Sequence, residues 1–122
     1  MMSTKNIPDR LRIEGHDGKQ FIVVDYRDLK EKDMIELANK HLELTLQTRL
    51  PFLADFHNTF GTPGYMIHAR NFAESTKQII DKGAFLGIDK VKSFLLKGVV
   101  FYLGVNYKAF DSKEEAIKFL VE

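Results

Sequence analysis

LPFLADFHNTFGTPGYMIHARNF, residues 50–72, is a short apolar run that stops at an aspartate, then a Gly/Pro loop, then the start of an amphipathic helix. The run at 52–56 is too apolar for a half-exposed strand and suits one buried on both faces of a parallel sheet. In an open α/β sheet, ligands and partners bind beyond the carboxyl ends of the strands. Residues 55–64 are therefore the first candidate for a working surface.

On the N-terminal side, Pro51 ends a helix that begins at Glu31, with Ile35, Ala38, Leu42 and Leu46 at helical spacing and Met34, Leu37 and Thr45 widening the stripe. Before it, Phe21 to Val24 form a β-branched run closed by Asp25. Leu11 and Ile13 alternate with charged residues ahead of an Asp17-Gly18 turn. Asp-Gly accepts the positive φ angles of a tight hairpin, so the two runs pair antiparallel at a sheet edge. Residues 1–8 read as a loose lead-in.

Toward the C-terminus, a second helix turns Ala69, Phe72, Ala73, Thr76 and Ile80 inward and stops at Gly83. Residues 84–88 make a third buried strand. A third helix starts at Asp89 with Val91, Phe94, Leu95, Val99, Tyr102 and Leu103 on one face, while Leu96, Val100 and Phe101 lie off it. Residues 107–110 are a last strand, and Ser112 with Glu115 forms a capping box for a final helix burying Ala116, Phe119 and Leu120. The expected fold is α/β: a mixed, mostly parallel sheet of about five strands with an antiparallel N-terminal hairpin and about four helices, in one domain spanning 1–122.

Composition bounds the function. The chain has 122 residues, 44% hydrophobic and 29% charged, with a formal net charge of +1. One core of ordinary size is implied, and no long-range field for nucleic acid is present. With no cysteine, disulfides, thiolate catalysis and cysteine zinc sites are excluded. The opening MMSTKNIPDR lacks the apolar core of a signal peptide. The longest uncharged apolar run, 98–105, is too short to span a bilayer. A cytoplasmic protein with no nucleic-acid partner and no stable membrane insertion is expected.

Four segments, VVDY (23–26), LADF (53–56), GAFLGI (83–88) and KAFDSKEEAIKFL (108–120), resemble the SpoIIAA-like group of the STAS superfamily, also described as STAS/SEC14-type domains. The resemblance runs from about Phe21 to the C-terminus. It implies a βαβ domain that acts by binding and has no catalytic centre. In the superfamily's anti-sigma-factor antagonists, the loop matching 57–64 carries an Asp-Ser pair whose serine is a phosphorylated switch. Here the loop reads Asn58-Thr59-Phe60-Gly61-Thr62-Pro63-Gly64, with Thr59 and Thr62 as its only hydroxyls.

Asp25, Asp55 and Asp89 all end predicted strands and could gather on one rim, as Mg²⁺-dependent phosphoryl chemistry needs; the plainer reading is that each carboxylate caps the turn after it. His57 and His68 bracket the loop, but their spacing does not suit a shared metal. His16 and His41 have no nameable partner. No G-x-S-x-G nucleophile motif and no Gly-Lys-Ser/Thr phosphate loop occurs. Lys77, Lys82, Lys90, Lys92 and Lys97 alternate with acids and read as a solvated mixed face.

The leading expectation is a non-enzymatic regulatory or interaction domain with no cofactor and no metal site. It would dock a protein partner through Asp55, Asn58, Thr59, Thr62, Tyr65 and His68. The alternative follows from the third helix, which is apolar around more of its circumference than one sheet contact requires. Its surplus side chains would pack under the C-terminal helix, form a homodimer interface, or line a pocket for a small lipophilic ligand with Phe60, Met66, Phe94, Phe101 and Tyr102. A Mg²⁺-dependent phosphohydrolase at the aspartate rim is the weaker third option.

Overall fold

The computed structural model describes residues 7–122. Residues 1–6, most of the expected lead-in, lie outside the described residues. A 3-10 turn, Ile7–Arg10, comes first and buries Ile7 in the core, which anchors the end of that stretch.

Strands β1 (Leu11–His16) and β2 (Lys19–Asp25) form the expected hairpin, with Leu11 opposite Val24 and His16 opposite Lys19. Asp17 and Gly18 in its turn both have positive φ, 52° and 77°, as a two-residue primed turn requires. Helix α1 (Glu31–Thr48) leads to β3 (Phe52–Asp55), α2 (Pro63–Thr76) to β4 (Gly83–Leu86), α3 (Lys90–Leu103) to β5 (Tyr107–Ala109), and α4 (Lys113–Val121) closes the chain. Strand order is β1-β2-β3-β4-β5, with every pair after the hairpin parallel.

Consecutive right-handed crossovers that always step in one direction place their helices on one face of the sheet. The side chains follow, alternating with the pleat. Ile22, Val24, Phe52 and Ala54 pack with Met34, Leu37 and Ala38 of α1 and Tyr65 and Phe72 of α2. Phe21, Val23, Leu53, Ala84 and Leu86 pack on the other face with Ala116, Phe119 and Leu120 of α4. Lys82 Nζ ties down the end of α4 by donating to the Phe119 and Glu122 carbonyls at 2.8 and 3.1 Å, a favourable place for a cation.

Three expectations change. Gly83 does not stop a helix: α2 ends at Thr76, and Gly83 begins β4, where a Cβ would lie 2.6 Å from the Phe52 ring and 2.8 Å from Tyr107. The inward stripe of α1 is Met34, Leu37, Ala38, His41 and Thr45, while Leu46 is 51% exposed. Finally, α3 cannot pack under α4, because α4 covers the opposite face of the sheet.

Candidate functional site

Helix α3 is held at its edges. Asp89 caps its N-terminus, accepting from the Lys92 N–H at 2.9 Å, and Gly104 ends it in the left-handed conformation. Its contact with α2 is a small cluster of Ala73, Val99 and Val105, joined by Met66, Val100, Leu103 and Tyr107. Val99 is its one buried residue. Because α3 stands off the sheet, a pocket of about 90 Å³ remains between α1, α2, α3 and the strands. That is far more than the ~10–15 Å³ one water needs.

The floor is aromatic. Phe52 lies edge-on to His41, Phe72, Phe85 and Tyr107, with ring centroids 4.9, 5.4, 5.5 and 5.3 Å away. Phe56 stacks on Tyr26 at 4.5 Å and on Phe85 at 5.8 Å. Helix α2 supplies Met66 and Ala69, and α3 supplies Lys92, Leu95, Leu96 and Val99. The α3 positions fall at helical spacing 92, 95, 96 and 99, so a single stripe faces the pocket. At the mouth, Lys92 Nζ donates to the Phe56 carbonyl at 2.9 Å and the Thr59 carbonyl at 3.4 Å, with Asp89 Oδ2 3.9 Å away. The lysine fastens the loop after β3 to α3.

Polar groups in this region are largely satisfied. Thr59 donates to the Phe56 carbonyl and Thr76 to the Phe72 carbonyl, both at 2.7 Å. The Tyr26 and Tyr65 hydroxyls share a hydrogen bond. Burial, the largest influence on each, pushes both phenols up, so they stay protonated at neutral pH. Among the described residues, three buried side-chain atoms make no close hydrogen bond: His41 Nε2, Thr45 Oγ1 and Tyr107 Oη, the last with the Thr76 hydroxyl as its neighbour. Leaving such an atom unsatisfied costs roughly 1–3 kcal/mol. His41 and Tyr107 both line the pocket. Burial pushes the His41 imidazole down to about 3, so it is neutral at pH 7.

Of the expected lipophilic lining, Phe60 and Met66 border the pocket, Phe60 with 78% of its surface exposed. Phe94, Phe101 and Tyr102 do not: they are 79%, 81% and 83% exposed on the outer side of α3. The apolar circumference of that helix misled here, since its most aromatic positions fall off the 92-95-96-99 stripe.

The expected docking surface is not assembled either. Thr59 and Tyr65 are buried. Asn58 donates its amide to Asp28 at 2.8 Å. Thr62 caps α2, accepting from the Tyr65 N–H, while its hydroxyl hydrogen-bonds Glu31. Asp55 accepts from the His57 N–H at 3.1 Å and lies 2.6 Å from His57 Nδ1. His68 is half-buried on α2, apart from that pair. These polar groups mostly serve the chain itself.

At the aspartate rim, β2 and β3 bring Asp25 and Asp55 side by side, but Arg27 fills the space. Its guanidinium holds Asp25 with two 2.9 Å bonds, and its Nε is 3.8 Å from Asp55. Burial acts to raise the Asp25 carboxyl; the bonds to Arg27 and its charge outweigh that, and the net shift is downward. Asp89 is spent on the α3 cap. Among the described residues, no three His, Asp or Glu side chains are arranged to hold a metal, and no helix is long and apolar enough to cross a membrane.

This architecture is a SpoIIAA-like α/β fold. It superimposes with a TM-score of 0.70 on a crystal structure from Shewanella loihica PV-4 of a DUF3478 family protein with a SpoIIAA-like fold, over 90% of this chain and 91% of that one, at 16% identity. No family model matches the sequence. Among curated proteins, the chain is similar to the DNA-directed RNA polymerase subunit beta' of Clostridium botulinum. It is 33% identical over 96 residues to the subunit of strain Loch Maree / Type A3 and 32% identical to that of strain ATCC 19397 / Type A. The match takes in 70% of this chain, which spans about 8% of the length of those relatives.

Proposed function

We propose that the protein is a non-enzymatic binding domain that holds a small lipophilic molecule between α3 and the sheet. The observation that carries this reading is the pocket itself: about 90 Å³, walled by Phe52, Phe56, Met66, Ala69, Leu95 and Val99. A concave, predominantly apolar site with few polar groups suits a small ligand. Helix α3 is the natural gate, since it meets the body through a small cluster and the Lys92 clasp. Docking through the 55–64 loop and phosphohydrolysis at the aspartate rim are not carried into this reading, because the loop hydroxyls and the rim carboxylates are already engaged within the chain.

Titration with benzene, small enough for a pocket of this volume, tests it. One-to-one, saturable chemical-shift changes are expected. Shifts that grow linearly without saturating would contradict the reading.

A further inference from the structure

The pocket is not uniformly apolar, and where its polarity lies constrains what can occupy it. His41 sits on α1 at the inner wall, its ring stacked on Phe72 at 4.2 Å and edge-on to Phe52 at 4.9 Å. Its Nε2 is buried without a hydrogen-bond partner. The edge-to-face contact with Phe52 offers a ring nitrogen at most a weak N–H···π interaction, second-order beside a hydrogen bond. Across the Phe52 ring, Tyr107 Oη makes no close hydrogen bond but has the Thr76 hydroxyl as a neighbour, so among the described residues His41 Nε2 is the pocket atom left with nothing. The other pocket hydroxyls nearby, those of Tyr26, Tyr65 and Thr59, are already paired. Thr45 stands one helical turn beyond His41 and does not line the pocket.

We infer that the ligand carries one uncharged hydrogen-bonding group, a hydroxyl or a carbonyl, and enters with that group leading, to be met by His41 Nε2. This inference rests on the pocket reading above. A neutral imidazole nitrogen donates or accepts according to its tautomer, so either group can be met. Among the described residues, Lys92 is the one charged residue of the lining; it stands on α3, held to the Phe56 and Thr59 carbonyls and beside Asp89, so a carboxylate led to His41 on α1 meets no cation on that wall. A buried, unpaired carboxylate would be strongly disfavoured. An alkane fits the walls but leaves the nitrogen unpartnered.

The experiment compares 1-hexanol, hexane and hexanoate as probes, following the side-chain ¹⁵N signals of His41 in the wild-type protein and affinity in wild type and His41→Phe. Hexanol should move the His41 ¹⁵N signals on saturation, and hexane should leave them nearly fixed. His41→Phe should weaken hexanol about 3- to 10-fold, the worth of one net hydrogen bond, and leave hexane within about 2-fold. Because the ¹⁵N readout uses the wild-type protein, a poorly folding variant does not spoil the test. The inference is overturned if hexanol fills the pocket without moving His41, or if hexanoate binds tightest. In both cases the lipophilic pocket stands. If none of the three probes binds saturably, the pocket reading falls as well.

Discussion

Ala69→Leu should weaken benzene binding by about 10- to 100-fold without lowering stability. Ala69 lines the pocket from α2, beside Met66 and one turn before Phe72. An isobutyl group placed there projects into existing space, so the unliganded variant buries more apolar surface and its urea midpoint should hold or rise. A ligand would then have to share the space. Overpacking costs about 1–3 kcal/mol, and each 1.4 kcal/mol is a tenfold change in affinity. Undiminished binding together with an unchanged midpoint would mean that benzene binds elsewhere.

The second large effect is a loss of stability in mild acid traceable to one residue. His41 has a folded pKa of about 3 against 6.5 for the free side chain. Above pH 6.5 both folded and unfolded states hold it neutral, and it contributes no pH dependence. As pH falls from 6.5 toward 3, the unfolded chain takes up a proton that the folded chain refuses, so stability is lost at up to about 1.4 kcal/mol per pH unit. Below about 3 the loss levels off. Between pH 7 and pH 5 the wild type should therefore lose about 2 kcal/mol more than His41→Phe in urea unfolding. The carboxyls of Asp25 and Glu14 are both shifted downward, so the stability they add is lost at lower pH, outside this window. Parallel pH profiles for wild type and variant would show that His41 is not held neutral by burial.

The elements were legible because their signals are local. The Asp17-Gly18 turn, the apolar run at Phe52 and the Ser112 cap each specify a backbone conformation within a few residues, and each is realised. The alternation of short apolar runs with helical stripes set the order of strands and helices, and from that order the mostly parallel sheet follows. The site was less legible because it depends on which way a helix is rotated and how far it stands from the sheet. In α1, Met34, Leu37, Ala38 and Thr45 of the buried stripe were legible from their spacing, whereas the polarity of His41 hid its place among them. In α3, the aromatic weight of Phe94, Phe101 and Tyr102 pointed away from the face that lines the pocket. There Lys92 belongs to the inward stripe because its ammonium reaches two backbone carbonyls while its stem covers apolar surface. Threonines 59 and 62 drew attention as loop hydroxyls, but the sequence does not reveal that both are hydrogen-bonded within the fold.

The pocket between α3 and the sheet is the central feature, and chemical-shift mapping of benzene binding tests it most directly. At saturation the largest shifts are expected at Phe52, Phe85, Ala69, Leu95 and Val99, with His41 and Tyr107 among the responding side chains. Shifts confined to Val91, Phe94, Phe101 and Tyr102 on the outer face of α3 would contradict it.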